Sequence, residues 1–264
     1  MSFSAQWLAL REPYDMRARN VAVLDALAAA FRDRGSIAIV DLACGAGASL
    51  RALAPRLPPR QSWRLVDNDL GLLARTPALA TPPRLTVQAR AIDLARDLEL
   101  ALDGPLDLIT CSALLDLVSP PWLERLAVEA AARSLPLYAA LTYDGRATLE
   151  PSHAFDAEMV AAVNRHQRRD KGFGPALGPQ AAAAAIARLE AIGYAVVQGR
   201  SDWMLGADDG VIKDAILAGW AGAARELGDV PLGEIAAWFT CRREQLARLQ
   251  VGHVDFFAVP TGSR

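Results

Sequence analysis

The chain has 264 residues, 52% of them hydrophobic and 22% charged, which suits one large α/β domain with an insertion and excludes a disordered or fibrous chain. Its net charge of −2 argues against general electrostatic capture of nucleic acid. Three scattered cysteines without a CxxC, no basic N-terminal start before an apolar run, and no stretch near the ~18 apolar residues that span a bilayer exclude a disulfide scaffold, a secretory signal and a membrane span, so the expected location is cytoplasmic.

In chain order, apolar residues Val21, Leu24, Leu27, Ala28 and Phe31 recur at helical spacing and predict a helix over roughly 15–34, stopped by Gly35. Ile37–Leu42 is short, apolar and β-branched, as a buried strand is. Further strand-like runs are Trp63–Val66, Leu85–Gln88, Leu106–Cys111 and Leu137–Thr142, with the clearest intervening helical pattern over Pro121–Arg133. Strands alternating with helices imply βαβ units and a parallel sheet. Beyond Thr142 the pattern changes. A helix is predicted over Phe155–Arg169, then a Gly/Pro-rich loop, an Ala-rich helix over Pro179–Ile192 and a strand over Tyr194–Gly199. Helical stretches over Gly210–Leu227 and Leu232–Leu249 follow, and a final strand ends near Pro260.

The chemistry-bearing signal begins in IAIVDLACGAGASL, Ile37–Leu50. A strand ends in Asp41, and Gly45 and Gly47 follow where open α/β sheets bind ligands. Glycines there let a nucleoside approach the backbone closely. A nicotinamide fingerprint would need a third Gly or Ala where Leu50 stands. A turn serving chain reversal alone is the remaining alternative. Asp67 ends the next strand, 20 residues after Gly47, where a carboxylate is placed to accept two ribose hydroxyls. Asp69 is better placed to cap the following helix. Asp93 follows the third strand, where it is either a surface turn or a base contact. After the fourth strand comes CSALLD, residues 111–116.

Across Ile37–Val118, about a third of the chain, these four elements resemble the class I S-adenosylmethionine-dependent methyltransferases. The resemblance implies a doubly wound, seven-stranded, mainly parallel sheet with the last strand antiparallel and helical insertions forming a cap. It divides a single domain into a lid helix (1–34), a cofactor-binding core (35–145), a substrate lid (146–180) and the rest of the sheet with a helical insertion (181–264). S-Adenosylmethionine is the implied cofactor. Its implied contacts are Asp41 near the methionine amino group through the turn, the turn residues Ala43, Cys44, Gly45 and Gly47, Asp67 and Asn68 at the ribose, Asp93 and Leu94 at the adenine, and Cys111 and Ser112 along the methionine arm. The segment Trp7–Asp15 is similar to the family's leading lid helix, and Arg17 or Arg19 is expected either to pair with the methionine carboxylate or to sit on a solvated helix face.

Methyl transfer is an in-line displacement in which the enzyme mainly aligns nucleophile and methyl. The chain has CSAL where nucleic-acid and glutamine N-methyltransferases carry Asn/Asp-Pro-Pro-Tyr/Phe, which favours a small-molecule acceptor. His153, His166 and His253 are too scattered for zinc. Arg165, His166, Arg168, Arg169 and Lys171 crowd beside the Gly/Pro loop. They are read either as an anion-contacting lid, with Arg165, Arg168 and Lys171 on the acceptor and His166 as base, or as a solvated basic helix end. Tyr143 and Asp116 are further candidates to orient or deprotonate an acceptor. Trp203, Trp220 and Trp238 are expected to pack in a core, cover the cavity or support a homodimer. An RNA or protein methyltransferase, and a binding protein that keeps the nucleoside pocket without catalysis, are the alternatives. The shortage of lysine (Lys171 and Lys213 only) and the abundance of alanine are read as the imprint of a GC-rich bacterial genome rather than as a functional signal.

Overall fold

The computed structural model describes residues 4–80 and 83–262. Its strands are β1 (Ser36–Leu42), β2 (Arg60–Asp67), β3 (Leu85–Ala91), β4 (Leu108–Ser112), β5 (Leu137–Glu150), β6 (Tyr194–Arg200), β7 (Trp203–Leu205) and β8 (Arg248–Pro260). The helices are α1 (Ala5–Ala18), α2 (Val21–Phe31), α3 (Ala48–Leu53), α4 (Leu70–Leu73), α5 (Leu98–Ala101), α6 (Pro120–Ala132), α7 (Asp156–Gln167), α8 (Ala181–Ala191), α9 (Gly210–Leu227) and α10 (Leu232–Gln245). None of them is long and apolar enough to cross a membrane.

The sheet runs β3-β2-β1-β4-β5-β8-β6, with β7 also paired to β8. The pairs from β3 to β5 are parallel, and β8 is antiparallel to both β5 and β6. Successive side chains leave a strand on opposite faces. Ile37 and Ile39 therefore enter one core with α2 and α3, while Val40 and Leu42 enter another with α6 and α8. The doubly wound mixed sheet is the expected one, with an eighth strand added. β8 is 13 residues long and outruns β6, and β7 satisfies the edge that would otherwise stand open.

Two predicted elements differ. The helix expected over 15–34 is two helices broken at Arg19–Asn20. The Asn20 side chain caps α2 at Val23 N, its backbone N–H donates to Asp255 Oδ2 at 2.9 Å, and Arg19 donates to the Tyr138 hydroxyl at 3.1 Å. These tertiary bonds outweigh helix continuity. The strand expected to end at Thr142 continues to Glu150, because Asp144-Gly145-Arg146 lies within a register shift rather than a chain reversal. The prolonged β5 and β8 rise beyond the sheet as a ribbon. On it a separate core gathers α7, α9, α10 and β7, including Trp203, Trp220 and Trp238. Of the three expectations for these tryptophans, core packing is what the fold displays, since they are 5%, 8% and 1% exposed.

Candidate active site

A cavity of about 420 Å³ opens at the C-terminal ends of β1 to β4. That is within the usual range for a small-molecule site, and it lies at the sheet edge where such folds bind ligands. Its floor is the β1–α3 turn. Ala43, Gly45 and Gly47 all have positive φ there, 53°, 54° and 83°. A Cβ at Gly45 would approach Leu8 Cδ1 to 3.2 Å, and one at Gly47 would run into the Leu79 side chain. The turn therefore needs glycine for both conformation and space.

Asp67 stands beside it at the end of β2. Its Oδ2 accepts from Gly45 N at 2.8 Å and its Oδ1 from Asp69 N at 3.0 Å. Two backbone amides thus fix the carboxylate, and each oxygen keeps a lone pair for a ligand hydroxyl. Asp69 caps α4 through Gly71 N and Leu72 N, as expected. At the end of β3, Asp93 bonds Ala95 N at 3.0 Å, and the Leu94 carbonyl accepts from Trp122 Nε1 at 2.6 Å. The Leu94 N–H enters no hydrogen bond among the described residues. Ala43, Cys44, Gly45, Asp67, Asn68, Asp93, Leu94 and Ser112 all line this one cavity.

The remaining expected cofactor residues lie behind its wall. Asp41 is fully buried, accepts from Thr110 Oγ1 at 2.8 Å and has an unpartnered Oδ2. Gly47 shapes the turn without lining the cavity, and Cys111 is buried in the β4 core. Arg19 is buried on Tyr138 at the break between α1 and α2, and Arg17 lies over the Tyr14 ring, 3.9 Å from Asp209. Neither reaches the cavity lining. Arg51, Arg75 and Lys171 do, and from α1 so does Arg11, bonded to Asp15 at 2.8 Å and placed 5.1 Å from the Trp203 ring centre. Sequence reading passed over Arg11. The signal available for it was the spacing of Trp7, Leu10 and Tyr14, which sets the face that α1 turns to the cap. Glu12 pairs with Arg51 of α3 at 2.8 Å and latches α1 over the turn.

Burial pushes the Asp41 carboxyl up from 3.8 to about 7, against the hydroxyls of Thr110 and Ser49 and the charge of Arg19. The native state therefore holds an extra proton between about pH 4 and 7. This group's contribution to stability is complete below that window and is lost as pH rises through it. Asp41→Asn keeps an acceptor for Thr110 and removes the ionisation. Urea unfolding at pH 5 and pH 8 is expected to show the variant gaining on the parent at the higher pH; an equal difference at both would mean that Asp41 does not titrate there.

The predicted acceptor residues separate into two groups. Lys171, with Gly172 and Phe173, lines the cavity. Asp116 is buried just behind it, with Oδ1 unpartnered, and burial pushes its carboxyl up to about 6 despite the nearby charges of Arg11 and Lys171. The others lie outside. Arg165 pairs with Glu158 and Asp229, Arg168 is exposed, and Tyr143 donates to Asn164 Oδ1 at 2.8 Å, with burial raising its phenol well above the usual range. His166 Nε2 is 2.9 Å from Glu226 Oε2, and its Nδ1 is 3.1 Å from Lys171 Nζ. In the loop read as an anion-contacting lid, Asp170 Oδ1 accepts from Gly172 N and Gly174 N, and Leu177 N reaches Val118 O at 2.8 Å.

These features fit an adenosyl amino acid: a fixed carboxylate for two hydroxyls, an unengaged backbone N–H at the adenine end, and a glycine cradle beside the turn. Residues 39–136, which span the ends of β1 to β4, match the family model of a methyltransferase domain. No curated protein sequence matches the chain. Among solved structures the chain is similar to the YcgJ protein of Bacillus subtilis, at 12% identity and a TM-score of 0.51, over 92% of this chain and 100% of that one. It is similar to the cyclopropane synthase MmaA2 of Mycobacterium tuberculosis at 12% identity and a TM-score of 0.51, over 97% and 94% of the two chains. A cyclopropane-fatty-acyl-phospholipid synthase-like protein from Lactobacillus casei ATCC 334 gives 13% identity and 0.51, again over 97% and 94%. At such identities the likeness speaks for the fold, and the methyltransferase-domain match speaks for the chemistry of the strand ends. Residues 39–136 thus match a methyltransferase domain, and the cavity is built on those same strand ends.

Proposed function

We propose that the chain methylates a small anionic or hydroxylated acceptor, at an oxygen or a carboxylate. The observation that carries this reading is that Ser112, Lys171 and Arg11, the last paired with Asp15 at 2.8 Å, line the same cavity as the glycine turn and Asp67. A guanidinium, an amine and a hydroxyl suit an acceptor that carries oxygen.

S-Adenosylmethionine, when bound, supplies a methyl group on a sulfonium whose leaving group is a neutral thioether. Asp67 would hold its ribose hydroxyls, Asp93 and the Leu94 N–H its adenine, and the turn above Asp41, with Ser112, its methionine arm. The rest of the work is alignment and exclusion of water. The latch between Glu12 and Arg51 keeps α1 across the cavity, and the Arg11–Asp15 pair, with Asp15 also accepting from Trp203 Nε1 at 3.0 Å, ties the same helix to the cap.

Calorimetry tests the cofactor and a turnover panel tests the acceptor. S-Adenosylhomocysteine is expected to bind and to raise the melting temperature, because it engages the folded state only. NAD is expected not to bind. Turnover is expected on phenols, alcohols or carboxylic acids in the panel. Binding of NAD without S-adenosylhomocysteine would overturn the cofactor reading. Methylation of RNA or protein with none on the panel would overturn the acceptor class.

A further inference from the structure

Methylating an acceptor O–H leaves a proton to dispose of. The oxygen lone pair forms the new O–C bond, the C–S electron pair stays on sulfur, and the O–H proton must go to a base. The sequence suggested His166 for that base, yet His166 stands one residue back from the cavity and Lys171 stands in front of it. Lys171 is 6% exposed and lines the cavity. Its Nζ reaches His166 Nδ1 at 3.1 Å, and His166 Nε2 reaches Glu226 Oε2 at 2.9 Å. The Glu226 side chain is 68% exposed. Two hydrogen bonds in series therefore join the cavity to bulk water.

We propose that Lys171, His166 and Glu226 form a proton exit, in which the Lys171 amine meets the acceptor and the other two carry its proton to solvent. This rests on the reading of the cavity as a methyltransferase site. The neutral amine takes the acceptor proton. The ammonium passes a proton to His166 Nδ1, the Nε2–H proton moves to Glu226, and Glu226 exchanges with water, so each group returns to its starting form after the ring resets its tautomer. Glu226 fixes the ring so that Nδ1 faces Lys171, which makes it a positioning residue. The charged groups around the amine are Asp116 behind the wall, Glu226 on α9 and Arg169 beside the loop. Burial lowers the Lys171 amine from the ordinary lysine value, Arg169 lowers it further, and Glu226 and Asp116 act in the opposite sense. A lowered amine gives up its charge more readily, which is the direction such a step requires.

The composition makes the test simple, because the chain has two lysines and three histidines. The whole protein, labelled at lysine and histidine side chains, is titrated by NMR, with Lys171→Gln and His166→Gln assigning the signals. The Lys171 amine is expected to titrate below the ordinary lysine range. In Glu226→Ala it should move further down, because the anion that favours the charged form is gone. The His166 ring signals should change in Lys171→Gln. Glu158→Ala, on the same helix, should move neither. Unchanged Lys171 titration in Glu226→Ala, or unchanged His166 signals in Lys171→Gln, would overturn the exit. On an acceptor methylated in the panel, Lys171→Gln should lower kcat about 100-fold, as loss of a general base does, and Glu226→Ala should lower kcat with little change in KM. An unaltered kcat in Lys171→Gln would equally overturn it. Calorimetry with S-adenosylhomocysteine separates the two readings. Parent protein that binds it but shows no coupled titration loses the exit alone, and parent protein that fails to bind it loses the cofactor assignment.

Discussion

Asp67→Ala should weaken binding of S-adenosylhomocysteine by at least about 100-fold, the largest loss expected from any single side chain in the cavity. The carboxylate is already oriented by Gly45 N and Asp69 N, so it enters binding without a cost in side-chain freedom. Two ribose hydroxyls would then donate to a charged acceptor, at about 1.5–3 kcal/mol each. Every 1.4 kcal/mol is about tenfold in affinity. The alanine also strips Gly45 of the partner that holds the glycine turn in place. Asp67→Asn should fall almost as far, since its amide would turn an N–H toward one of the two backbone donors. Calorimetry measures the affinity, and the melting temperature of the unliganded variants shows whether the sheet persists. Binding equal to the parent's in both variants would remove Asp67 from the cofactor site.

Asp156→Ala should cost about 3–5 kcal/mol of stability without touching the cavity. Asp156 opens α7 and accepts three hydrogen bonds, from Trp238 Nε1 at 2.9 Å, Arg242 Nη2 at 2.8 Å and His153 N at 2.9 Å. Arg242 is 1% exposed, and its other bond is to the Pro151 carbonyl. Removing the carboxylate leaves a buried guanidinium uncompensated, and breaking a buried pair from one side typically costs that much. For a chain of this size each kcal/mol moves the melting temperature by roughly 2–4 °C, so a fall of about 10 °C is expected. Glu158→Ala, which breaks an exposed pair with Arg165, should cost no more than about 1 kcal/mol. Replacing both members, Asp156→Ala with Arg242→Leu, should recover part of the loss. A melting temperature within 2–3 °C of the parent for Asp156→Ala would show that the cap does not depend on this hub.

The nucleoside end of the site was legible because its residues are local to strand ends. Gly45, Asp67, Asp93 and Ser112 each lie at the end of a strand or within three residues of it, and parallel pairing brings those strand ends to one edge. Asp41 lies one residue before the end of β1. Strand alternation, however, turns its side chain toward Thr110 beneath the turn, and no motif spacing conveys that.

The acceptor end was only partly legible. The basic cluster at the end of α7 and in the loop beyond it holds Lys171, which reaches the cavity, and Arg165, which pairs with Glu158 and Asp229. In sequence the two look alike. Arg165 and His166 sit on a helix whose orientation is set by packing against α9, and that packing sends one toward Asp229 and the other toward Glu226.

By itself, the sequence determined the alternating order of elements, the parallel core and the glycine turn with its acidic neighbour, since hydrophobic period, turn chemistry and strand-end position are properties of contiguous residues. The tertiary structure alone decided the break of the first long helix at Asn20, the continuation of β5 past Gly145 into the cap, the arrival of Arg11 over the cavity and the placing of Lys171 ahead of His166. Each of these depends on a partner far along the chain, namely Asp255, the first half of β8, Trp203 and Glu226. A bond between distant segments forms only once the sheet has brought them together, and it then overrides the preference that each segment has alone.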